Sequence, residues 1–151
     1  MRILLAVDGS RCSDAAIDET SRMPWPSETI VKVVIVDAPL GRGRMPGSST
    51  AYDELVQQQR QEVTGVLQVA TARLRKAAPH LTVQSKLLEG NPKDGIVREA
   101  EDWQADLIVV GSHGYGPIRR FFMGSVSMFV AHNAPCSVYI SRSKDAPTPE
   151  D

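Results

Sequence analysis

Ile3-Leu4-Leu5-Ala6-Val7-Asp8-Gly9-Ser10 is an apolar run closed abruptly by an acid, a glycine and a serine. Its lack of alternation is what a strand buried on both faces requires, and such strands belong to parallel sheets covered by helices on each side. The run is far too short for a signal-peptide core or a membrane span. The chain is therefore expected to start at Met1 and to stay in the cytoplasm. Outward from it lie four more apolar runs rich in β-branched residues, at 30–36, 82–88, 107–110 and 137–140. The run at 82–88 is the least continuous and is expected near an edge. Longer amphipathic segments separate the five runs, which is the alternation of an α/β domain.

The intervening segments carry helix punctuation. Ser10 or Ser13 can cap a helix through Ala15, Ala16 and Ile17 that stops before Pro24-Trp25-Pro26, since a hydroxyl can take up an orphan amide and proline cannot continue a helix. A long second helix, about 53–78, places Val56, Val63, Leu67, Ala70, Leu74 and Ala77 on one face. Gly65 inside it costs about 1 kcal/mol against alanine. Asn91-Pro92 is a cap followed by a first-turn proline and opens a third helix through Ile96, Val97 and Ala100. The fourth begins near Gly124-Ser125 and runs to about His132, ahead of Asn133-Ala134-Pro135. The Gly-, Arg- and Ser-rich stretch 39–51 fits no element, nor does a flexible polar tail at 143–151.

With 151 residues the chain suits one such domain, placed at 1–142, and is too short for two. A formal net charge of −1 leaves no global field to recruit nucleic acid or anionic lipid, so neither is expected as a partner. Cys12 and Cys136 stand far apart without ligand-like spacing to each other or to histidine. That argues against both a disulfide framework and a zinc site.

Ligands of an open parallel sheet bind beyond the carboxyl ends of its strands, where the winding reverses. Two strand ends look prepared for this: Asp8-Gly9-Ser10 after the first run, and Gly111-Ser112-His113-Gly114-Tyr115-Gly116 after the fourth. Without a Cβ, and with access to positive φ, Gly114 and Gly116 can turn backbone N–H groups toward an anion. Gly124-Ser125-Val126-Ser127 adds further unobstructed backbone, two hydroxyls and a helix amino end. Free amides and the dipole there favour an anion by about 0.3–1 kcal/mol.

Gly111-x-x-Gly114, nine residues, then Gly124-Ser125 resembles the G-2x-G-9x-G-(S/T) signature of the ATP-binding branch of the universal stress proteins. Segments 3–10 and 134–138 are similar to that family's opening strand and turn and its closing strand. The resemblance implies a single doubly wound five-stranded parallel sheet of order 3-2-1-4-5, flanked by four helices and resembling the adenine nucleotide α-hydrolases. It further implies a homodimer, with ATP between the first and fourth strands. Residue by residue, it assigns Ala6 and Asp8 to the adenosine end and the backbone of Val36 to the adenine. Gly111 and His113 fall on the ribose and phosphate side, and Gly114, Gly124, Ser125 and Val126 on the phosphates. Mg²⁺ would be held mainly by phosphate and water, with no side chain assigned to it.

Other residues have plainer readings. His80 and His132 read as surface or capping residues, Trp25 and Trp103 as packing at element ends, and Cys12 as a small buried residue. Arg119 and Arg120 suit a solvated face, and Arg42 and Arg44 lie in a stretch that reads either as a disordered loop or as a functional one able to close over bound nucleotide. The lysine of a P-loop is missing after Gly116, and nothing marks a positioned water or strong charge stabilisation at a γ-phosphate. The expectation is therefore a nucleotide-dependent stress-response switch or reservoir with at most slow ATP hydrolysis. Two alternatives stand beside it. An adenylating ATP pyrophosphatase-like enzyme would need a Ser-Gly-Gly-x-Asp-Ser loop, which Asp8-Gly9-Ser10 does not provide. A dimeric interaction module without nucleotide would not need the glycines. The strand Val138-Tyr139-Ile140 is expected to form the dimer edge.

Overall fold

The computed structural model describes residues 1–39, 49–114 and 123–143. At its centre is β1 (Arg2–Ala6), flanked by β2 (Ile30–Asp37) and β4 (Leu107–Gly111). β3 (Thr82–Glu89) closes the edge beyond β2, and β5 (Ser137–Ser141) the edge beyond β4. All four pairings are parallel and the order is β3-β2-β1-β4-β5. The interrupted run thus lies at an edge, where one unshared side tolerates polar residues.

Period-two alternation divides the sheet between two cores. Ile3 and Leu5 of β1, with Val31, Val33 and Ile35 of β2, pack under α1 (Arg11–Arg22) and α2 (Ser49–Ala77). Leu4, Val34, Ile108 and Val110 pack under α3 (Pro92–Asp102) and α4 (Ser125–Asn133). Ile3, Leu4 and Leu5 are fully buried, each worth about 1.5–3 kcal/mol against exposure.

Ser10, rather than Ser13, caps α1, which ends at Arg22 just before the proline pair. The indole N–H of Trp25 donates to the Thr20 carbonyl at 2.7 Å, fastening the chain where the helix stops. Asn91 caps α3 with Pro92 in its first turn, and Gly124 precedes α4. His80 and His132 are exposed, and Cys12 is buried. Cys136 is half-buried and its thiol is pushed up by burial and by the charge of Asp106.

The second helix departs from expectation at both ends. It begins at Ser49, so the expected loop gives up residues 49–51, which contain neither glycine nor proline to stop a helix. Ala77 is exposed, while Ala78, just past the helix, is fully buried. Val56 is also exposed at 37%. A helix of 29 residues outruns strands of five to eight residues, so its amino-terminal turns expose Tyr52, Leu55 and Val56, and the stretch from Val63 to Leu74 supplies its apolar contacts with the core. Arg42, Arg44, Tyr115, Gly116, Pro117, Arg119, Arg120 and residues 144–151 lie outside the described residues.

Lys32 breaks the otherwise apolar β2. Its ammonium pairs with Glu99 of α3 at 2.8 Å and lies 4.2 Å from the centroid of the Trp103 ring. Trp103 therefore does more than pack, since its face supplements the pairing of a cation only 12% exposed.

Candidate functional site

The winding reverses between β1 and β4, so their carboxyl ends lie side by side. After β1 the chain turns through Gly9, whose φ of 81° is the left-handed conformation that glycine adopts without strain. Asp8 Oδ1 accepts from the Ser10 N–H at 2.9 Å. Ser10 Oγ accepts from Ser13 N–H at 3.2 Å and Ser13 Oγ from Gly9 N–H at 3.1 Å. Ser10 Oγ also donates to the His113 carbonyl at 3.2 Å, which ties the two strand ends together.

After β4, Ser112 is the junction. Its N–H donates to Ser141 of β5, and its carbonyl accepts from the Gly124 N–H at 2.8 Å. Ser127 Oγ donates to the Gly111 carbonyl at 2.7 Å, with Ser112 O at 3.2 Å. The turn at 111–114 and the entry to α4 therefore lie against each other. Gly124 makes no side-chain cap, and the first intrahelical bond in this turn comes from Met128 N–H. The N–H groups of Ser125, Val126 and Ser127 thus lack intrahelical partners.

Each of the three glycines makes room for a neighbouring group. A Cβ on Gly111 would stand 2.7 Å from the Cys12 carbonyl carbon, so that glycine lets α1 approach β4. A Cβ on Gly124 would meet Ser112 O at 3.1 Å and His113 Cα at 3.3 Å, so that glycine lets α4 close on the turn. A Cβ on Gly114 would meet Asp8 Oδ2 at 2.7 Å. None of the three has positive φ, which among the described glycines belongs to Gly9 and Gly90. The hydroxyl of Ser127, expected to face an anion, spends its proton on the strand end instead.

A cleft of about 570 Å³ opens where these segments meet. Ala6, Asp8, Val36, Gly111, His113, Gly114, Gly124, Ser125 and Val126 all line it. Val63 of α2 and Pro92 and Ile96 of α3 line it too. No motif marked these three, because their presence depends on how helices lie across the sheet. Asp8 and His113 are the only ionisable side chains among the described lining residues. The His113 ring nitrogen Nδ1 lies 3.1 Å from Ser112 Oγ. Among the described residues no three His, Cys, Asp or Glu side chains gather as a metal cage.

The family model described as the universal stress protein family matches residues 1–142. The chain belongs to the universal stress protein family. A curated relative in this family, from Staphylococcus saprophyticus, is 29% identical over 147 residues, covering 96% of this chain and 85% of the relative. Among solved structures, the hypothetical protein MJ0577 aligns with a TM-score of 0.81 at 22% identity, covering 96% of this chain and 97% of that one. A universal stress protein family protein from Arabidopsis thaliana with AMP bound has a TM-score of 0.72 at 19% identity and coverages of 100% and 97%. The Archaeoglobus fulgidus universal stress protein in complex with dAMP has a TM-score of 0.61 at 25% identity and coverages of 93% and 97%. This universal stress protein shares their fold over nearly its whole described length.

Proposed function

We propose that the cleft binds an adenine nucleotide, with ATP as the preferred ligand. The observation that carries this reading is the amino end of α4, which faces the crevice between β1 and β4 with no side-chain cap at Gly124 and no intrahelical partner for its first-turn amides. A phosphate satisfies such amides and meets the positive end of the helix dipole. The phosphates lie against Gly114, Gly124, Ser125 and Val126, and the ribose near Gly111 and His113.

The base lies at the apolar end, near Ala6 and Asp8. Val7 N–H donates to the Val34 carbonyl at 2.9 Å. Alternate residues of a strand turn their backbone groups to the same side, so Val36 offers its N–H and C=O past the end of β1, where an adenine edge can meet them. The AMP- and dAMP-bound relatives support the ligand class. At about 570 Å³ the cleft is of ordinary size for a small-molecule site. Mg²⁺ fits as a partner of the phosphates and water rather than of a protein cage; it would neutralise phosphate charge.

With backbone amides as the main phosphate ligands, and Asp8 and His113 the only ionisable lining side chains described, the site suits holding ATP better than splitting it. The chain then acts in the cytoplasm as a switch or reservoir that pairs through Val138, Tyr139 and Ile140 of β5. No helix among the described residues is long and apolar enough to cross a membrane. Native mass measurement of the purified protein tests both parts at once. The expected species is a dimer carrying an adenine nucleotide. A protein that purifies empty and takes up no added ATP sinks the binding reading, and a monomer at micromolar concentration sinks the pairing.

A further inference from the structure

The α3 wall of the cleft is fastened from beneath, and we propose that Glu99 is the positioning residue that sets this wall for the nucleoside end of the site; the proposal rests on the nucleotide reading above. Glu99 is 5% exposed. Its Oε1 accepts from Lys32 Nζ of β2 at 2.8 Å and its Oε2 from Lys86 Nζ of β3 at 2.6 Å. One carboxylate thus pins a single helix to two adjacent strands. Ile96, one turn earlier on the same helix face, and Pro92 line the cleft. Lys32 shares its face of β2 with Val34 and Val36, which line the cleft as well. Pin and cleft therefore share α3 and β2.

Stability alone does not account for this arrangement, because apolar side chains of similar volume commonly serve a buried position as well as an ion pair. A two-pronged carboxylate adds register. An 11-residue helix resting only on apolar contacts can slide or roll with little change in buried area. Lys32, held by Glu99 on one side and the Trp103 ring on the other, removes that freedom.

The test titrates adenosine and inorganic tripolyphosphate separately into wild type, Glu99→Gln and the double variant Lys32→Met, Glu99→Leu. Amide exchange across α3 is followed in each protein without ligand. Glu99→Gln is expected to weaken adenosine about tenfold, to leave tripolyphosphate within about twofold and to raise exchange around residues 95–99. The double variant, with its apolar refill, is expected to regain thermal stability while adenosine stays weakened.

Unchanged adenosine affinity with unchanged exchange in Glu99→Gln overturns the proposal. Adenosine affinity that returns together with stability in the double variant overturns it too, since that outcome makes the pin merely structural. Should Glu99→Gln fail to fold, Glu99→Asp, one methylene shorter, carries the same titration and exchange measurements. A wild type that takes neither ligand, with α3 still loosened by Glu99→Gln, sinks the nucleotide reading while supporting Glu99 as the residue that sets the cleft wall.

Discussion

Two helices begin at the same crevice, and their amino ends are built in opposite ways. At α1, Ser10 satisfies Ser13, Ser13 satisfies Gly9, Asp8 satisfies Ser10, and Asp14 adds negative charge in the first turn. At α4, the capping position is a glycine without a side-chain bond, and the first turn contains no acid. Both helices have a dipole and orphan amides, as every helix does. Of the two, only α1 fills its first turn with local side-chain partners. On the proposed reading, a binding end is distinguished from a structural one by the missing local cap more than by the helix itself.

The largest expected effect comes from making α4 resemble α1. Gly124→Asp supplies a side-chain cap, a negative charge and a Cβ that crowds Ser112 O and His113 Cα, and is expected to lower ATP affinity about 100-fold through lost charge-assisted hydrogen bonds, like-charge repulsion and displacement of the helix entry. Calorimetric titration reads this directly. Unchanged affinity would mean that the phosphates do not use this end. Ser10→Ala makes the reverse move, opening α1. It is expected to cost about 1 kcal/mol of stability, measured by denaturant unfolding, and, because it also removes the Ser10 Oγ bond to the His113 carbonyl, to weaken nucleotide binding by no more than that. A loss of affinity larger than the loss of stability would erase the contrast between the two ends.

The third helix sharpens the comparison by a smaller amount. Its amino end is closed like that of α1, with Asn91 Oδ1 accepting from Lys93 N–H at 2.9 Å, and it is fastened at mid-length by Glu99. Burial alone would raise the Glu99 carboxyl, but hydrogen bonds and charge from Lys32 and Lys86 outweigh it and hold the group below the usual carboxylate range. A depressed folded value means that the stabilisation is present above the unfolded value and is lost as pH falls through the folded one. The stability gap between wild type and Glu99→Gln is therefore expected to stay constant near neutrality. It should close on acidification below the usual carboxylate range, as followed by unfolding at a series of pH values. A gap independent of pH down to strong acid would assign the effect of the substitution to packing.

Much of the fold was legible because its signals are local. Buried parallel strands need unbroken apolar runs, and β1, β2 and β4 are such runs. Asn91-Pro92 and Ser10 announce helix starts through groups that act within three residues. The nine expected site residues share one cleft because the glycine spacing bridges two segments that the strand order makes neighbours. Lys32 is not legible in the sequence, because one charge inside an apolar run carries no signal until its partner is known, and that partner stands 67 positions away. In the sequence Val63 and Ile96 have the pattern of ordinary core positions, since periodicity says which face is buried but not what that face meets.

Residue order by itself determined the strand runs, most helix caps and the places where the backbone lacks side chains, all of which are properties of short chain segments. Tertiary structure decided what each glycine accommodates, which helix end stays open, and how α3 is pinned across β2 and β3. Those outcomes depend on distances between segments far apart in the chain. Such distances arise only when packing has balanced the two faces of the sheet against each other.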